Sequence, residues 1–122
     1  MKRYSFAVAA VLFTFLSGAP TFATETTGTV QEVRVREGEN GARVAFMLTG
    51  TQTSCQAWGF YAFENAETGT GRLWTALLFA AYEQGRTVTV IGSGTCVSYA
   101  NPDGSASPAI EGVKMIELNE VP

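Results

Sequence analysis

Alternation of apolar and polar positions sets most of the elements this chain is expected to form. Val33 and Val35 alternate with Arg34 and Arg36, so Thr29 to Arg36 reads as a strand with one apolar face. Val30 has the wrong parity for that face, which predicts a bulge near Gln31. Ahead of it, Thr24 to Thr27 reads as a polar entry segment. Gly38 and Gly41 bracket a turn suited to a hairpin, and Arg43 to Leu48 returns as a second strand that buries Val44, Phe46 and Leu48. Gly50 to Ser54 is a polar loop. Cys55 to Phe63 then reads as a third strand, with Trp58 and Phe60 on one face and Tyr61 and Phe63 on the other. Apolar residues on both faces predict burial on both, or one face against a partner.

Beyond the turn-like stretch Asn65 to Gly71 the period changes. Leu73, Trp74, Leu77, Leu78 and Ala81 fall on one stripe at helical spacing, which predicts a helix over Arg72 to Gln84 with Gly85 as its stop. At about 100° per residue Phe79 lies on the opposite side, between Arg72 and Glu83. Arg86 to Ile91 alternates as a strand with Val88 and Val90 inward, and Gly92-Ser93-Gly94 breaks it. Thr95 to Tyr99 is extended, Asn101-Pro102-Asp103-Gly104 is a turn, and Ile110 to Leu118 is the last strand. The result is mainly β with one helix, in the order strand, strand, strand, helix, strand, strand. That is the element order of the OB-fold, a five-stranded Greek-key barrel. A generic α+β sandwich is the less specific alternative.

The first residues carry a different pattern. Lys2 and Arg3 precede an apolar run from Phe6 to Leu16, interrupted only by Thr14, and small residues follow up to Ala23. This is the layout of a secretory signal peptide over residues 1–23, with cleavage expected after Ala23. A membrane span needs about 20 apolar residues and this run is about half that. The exported domain is then residues 24–122, secreted or periplasmic. Lys2 and Arg3 leave with the leader, so 8 basic residues become 6 against 11 acidic ones, a net charge of −5. Nucleic-acid binding, which needs clustered Lys and Arg, is not expected, although a local basic pocket stays open.

Histidine is absent, which removes a Ser-His-Asp triad, a Cys-His dyad and a His-ligated zinc site together. Lys114 is the one lysine after the leader, so a Ser-Lys hydrolase is equally poorly served. Paired carboxylates could still make a small glycosidase, though a domain of this size leaves little room for a sugar cleft. The chain is expected to be non-enzymatic, with no cofactor and no metal. Cys55 and Cys96 are the only cysteines, and an even pair in an exported chain predicts one disulfide. The alternative, a redox or metal pair, would sit outside any CxxC motif.

Three segments resemble a known family. Thr27-Gly28-Thr29-Val30, Thr53-Ser54-Cys55 and the stretch from Trp74 to Cys96 resemble the OB-fold cell-binding subunit of subtilase cytotoxin and its secreted homologues in the pertussis-like toxin group. The resemblance implies a homopentamer that binds cell-surface glycans, often sialylated, and that can carry an enzymatic A subunit. In that family a serine beside the first-strand glycine contacts the sialic acid carboxylate; Thr27 matches it, next to Gly28. An aromatic late in the fourth strand, near the sugar, is matched by Gly92. Thr27 and Gly28 are the candidate carbohydrate-binding residues the resemblance implies; Trp58, beside the open space Gly59 leaves, is a third candidate as a sugar-stacking platform, and Phe79, on the helix face opposite the core stripe, is the candidate oligomer-interface residue. The alternative is an exported periplasmic OB-fold module that binds a protein or small ligand without lectin activity. Trp74 belongs to the core stripe, Gly92-Ser93-Gly94 is a turn or an anion nest, and Glu37, Glu39 and Asp103 are solvated charge or calcium ligands.

Overall fold

A computed structural model describes residues 24–51, 53, 55–57 and 59–120. The expected leader and Trp58 lie outside the described residues. The elements are β1 (Glu25–Gly38), β2 (Gly41–Leu48), β3 (Tyr61–Phe63), α1 (Gly69–Gln84), β4 (Thr87–Val97) and β5 (Ile110–Leu118). Among the described residues the protein is mainly β with one helix, in the expected order. The strands hydrogen-bond as β1-β2-β3-β5-β4, and β4 pairs back to β1 to close a barrel. Among these pairs only β3–β5 is parallel. Among the described residues no helix is long and apolar enough to cross a membrane.

β1 serves two neighbours. Its first half, Glu25 to Thr29, pairs with β4, and its second half pairs with β2. The changeover is the bulge, where the register shifts between Val30 and Glu32 as the parity of Val30 predicts. The strand starts four residues earlier than its valines imply. Thr26, Gly28 and Val30 alternate inward there, but two of these are not hydrophobic and the period was hidden. Val35 is 53 % exposed rather than inward, because it lies near the end of the β1–β2 hairpin and faces a shallow concavity beside Gly38, Ala42 and Glu67.

The barrel interior is filled by Val30, Val44, Phe46, Leu48, Tyr61, Phe63, Val88, Val90 and Ile116. Burying each large side chain contributes about 1.5–3 kcal/mol. Phe46 stacks on Tyr61 with ring centres 5.7 Å apart, and Phe63 meets Trp74 of α1 edge-on at 5.2 Å. The helix packs through Trp74, Leu77, Leu78 and Ala81. Its contact stripe is narrower than expected, centred on the i, i+4, i+7 row Trp74-Leu78-Ala81, and Leu73 falls outside it at 70 % exposed. Gly85, at φ 65°, stops the helix in the left-handed region that favours glycine.

Two further expectations are corrected. The third strand is only Tyr61–Phe63, because Gly59 at φ 89° turns the chain out of extended conformation just before it. Gly92-Ser93-Gly94 does not end a strand. It is an irregularity inside one continuous β4, with register shifts against β5 on either side of Gly92. Cys55 and Cys96 are bonded and join the loop before β3 to the end of β4.

Candidate anion-binding cleft

Arg34 and Arg36 project from the outer face of β1, opposite the face that holds the valines. The hairpin register sets Arg36 directly across from Arg43, and Arg34 across from Ala45. Arg43 also belongs to an outer face, yet it is only 2 % exposed. The loop after β4 folds over it: Nη2 donates to Asn101 Oδ1 at 2.6 Å, and the guanidinium lies 5.3 Å from the Tyr99 ring centre. Its Nη1 is buried without a hydrogen-bond partner among the described residues.

These arginines line a cleft of about 240 Å³ with an apolar floor of Ala45, Ala57, Phe60, Pro108 and Ile110, and Ser107 on its rim. Arg34 lies over the Phe60 ring, 4.9 Å from its centre, and pairs with Glu32 at 2.5 Å. That is the only ion pair among the described residues.

The walls are braced. Residues 99–107 form a small hairpin with a bridge between Ala100 and Ala106. Tyr99 and Ser107 are joined by Tyr99 N to Ser107 Oγ (2.8 Å) and Ser107 N to Tyr99 O (2.9 Å). Asp103 accepts from the Ser105 hydroxyl and backbone N–H, which holds its carboxyl below the usual range. Burial, helped by the Glu64 charge and opposed by Arg43, raises the Tyr99 hydroxyl above its ordinary value. It therefore stays protonated at neutral pH and donates to Ala62 O. On the other side Ala57 N donates to Ala109 O and Ala109 N to Gln56 Oε1, beside the disulfide.

Of the residues singled out from the sequence, Thr27, Gly28, Gly92 and Phe79 lie elsewhere, while Trp58 is outside the described residues. Thr27 is exposed, and its hydroxyl bonds to Thr89 Oγ1 at 2.8 Å within a polar row that includes Asn119. Gly28 is buried under Thr49, whose carbonyl a Cβ there would strike. Neither lines the cleft. Gly92 makes room for the Glu111 carboxylate, which a Cβ would overlap, and Gly94 N–H donates to that carboxylate at 3.3 Å. The glycine segment thus holds an anion of the chain itself. Glu37, Glu39 and Asp103 do not converge, and among the described residues no group of three or more acidic or cysteine side chains could hold a metal. Phe79 is 43 % exposed on the outer helix face, where the helical period puts it.

The arginines were missed because they are dispersed along the sequence. A signal was present: Arg34 and Arg36 share a strand face, and the glycine turn returns Arg43 opposite them. No protein-family model, no curated protein and no solved structure matches the chain.

Proposed function

We propose that this chain is an exported, non-enzymatic OB-fold subunit that binds an acidic glycan in the arginine cleft. The observation that carries it is Arg36 directly opposite Arg43 in an antiparallel pair. Like charges in that arrangement destabilise a sheet. The pairing is most readily explained if the cleft receives an anion, all the more in a domain whose net charge is negative. Guanidinium forks match a carboxylate, and the apolar floor with Phe60 suits the hydrophobic face of a sugar ring. Strands β2 and β3 with the loop between β4 and β5 are also where OB-folds commonly take oligosaccharides.

The test is a glycan array with three oxidised proteins. Acidic glycans should bind the wild type, and Arg34→Ala/Arg36→Ala should lose at least about tenfold with little change in melting temperature, since both side chains are exposed. Thr27→Ala should bind as wild type. Loss in Thr27→Ala alone would move the site to the β1–β4 face, and unchanged binding by the arginine variant would remove the cleft. A wild type that binds no glycan but captures a periplasmic protein would favour the alternative of a protein-binding module.

The outer face of α1 supports a ring assembly. Leu73, Ala76 and Phe79 form an exposed apolar strip on the side away from the barrel, so this helix is apolar on two sides. Covering Phe79 with a second copy would gain about 1.5–3 kcal/mol per subunit. A cyclic homo-oligomer, a pentamer on the toxin resemblance, is the expected state, with any A subunit docking on the ring. Light scattering should give a multiple of the subunit mass, and Phe79→Asp should reduce it. A monomer across micromolar concentrations would refute the assembly.

A further inference from the structure

Glu111 faces into the barrel at 2 % exposure, and among the described residues no lysine or arginine pairs with it. An ionised carboxylate so placed is costly unless it meets charge as well as hydrogen bonds. Its donors are Thr24 N (3.2 Å) and Gly94 N (3.3 Å) to Oε2, and Thr24 Oγ1 (2.9 Å) to Oε1. Tyr61 Oη completes the cluster, 2.8 Å from Thr24 Oγ1 and 2.9 Å from Thr26 Oγ1. Thr24 is held on its other side as well, since its carbonyl accepts from Gly92 N–H at 2.8 Å. The residue next to the expected cleavage site is thus seated with its backbone nitrogen on a buried carboxylate.

We propose that removal of the leader after Ala23 completes the fold, by turning Thr24 N into an α-ammonium group that forms an ion pair with Glu111. Hydrolysis of the Ala23–Thr24 amide by a leader-removing endopeptidase consumes one water. The released peptide keeps the Ala23 carboxylate, and Thr24 gains an amine that is protonated at neutral pH. Before cleavage the same nitrogen offers one neutral N–H. After it, a full positive charge stands where the carboxylate has none. The precursor is therefore the less stable form, which favours folding after export rather than before. The inference depends on the cleavage position and not on what the arginine cleft binds.

Intact mass of the exported protein should place its first residue at Thr24. That protein is then compared, oxidised, with the same chain carrying Phe22-Ala23 ahead of Thr24, each with and without Glu111→Gln. The free-amine protein should melt on the order of 10 °C above the extended one. Glu111→Gln should lower the melting temperature of the free-amine protein and leave the extended one unchanged or raised, because it removes a paired charge from the first and an unpaired charge from the second. Equal melting of the two wild-type forms, equal effects of Glu111→Gln on both, or a first residue other than Thr24 would overturn the proposal. If Glu111→Gln fails to fold, the comparison of the two wild-type forms decides alone.

Discussion

Replacing Cys55 and Cys96 by serine should cost about 4 kcal/mol of stability, because the bond closes a loop with a sequence separation of 41 residues and restricts the unfolded chain accordingly. In melting temperature that is a fall on the order of 15–30 °C for a domain of this size. The serine variant should also lose the cleft more readily than the core. Cys55 lies in the β2–β3 loop that carries Ala57 and Phe60, and Cys96 is one residue from the end of β4, the strand that leads to Tyr99, so the bond ties both walls together. Chemical denaturation of the oxidised protein and of the double serine variant measures the first effect. Hydrogen exchange at Ala57 and Ser107, whose N–H groups bond to Ala109 O and Tyr99 O, reads the second. Equal stability of the two proteins would mean that the loops are held by their hydrogen bonds alone.

Gly92→Ala is expected to destabilise by about 3 kcal/mol although it adds a single methyl group. A Cβ at Gly92 overlaps Glu111 Oε2 and comes within 3.0 Å of Tyr61 Cε1, and neither neighbour has room to retreat: Glu111 is fixed by its donors and Tyr61 is fully buried. Nor is there room for an aromatic, so the toxin-like arrangement with such a ring at this position has no counterpart here. The double variant Gly92→Ala/Glu111→Ala should lose less than the two single losses added together, because the second change removes what the first one strikes. Strict additivity in denaturant melts would show that the clash is relieved some other way.

The legible part of the fold was its apolar alternation. Val44, Phe46, Leu48, Val88 and Val90 are all buried as their period requires, and the mismatch of Val30 locates the bulge. What was not legible depended on contacts between distant segments. Arg43 reads as an outward polar residue, and only the return of Tyr99 and Asn101 buries it. Leu73 reads as core, but the barrel takes a narrower helix stripe than the sequence offers. Glu111 lies in a last strand whose sequence does not alternate and so does not assign it a face; its burial follows from Gly92 and Gly94, which belong to another strand. The cleft escaped for the same reason, since its floor joins residues from Ala45 to Ile110.

The division of β1 between two partners has a consequence for the order in which the molecule assembles. Its second half can pair as soon as the adjacent hairpin forms. Its first half, Glu25 to Thr29, must wait for Ile91 to Thr87, more than fifty residues further along. Pairings of such long range are the slow step in β-rich chains, and an unpaired strand edge meanwhile is a template for aggregation. The composition of that segment answers the hazard. Glu25-Thr26-Thr27-Gly28-Thr29 contains no hydrophobic residue, so the last seam to close is also the one least able to stick to a neighbouring chain while it waits.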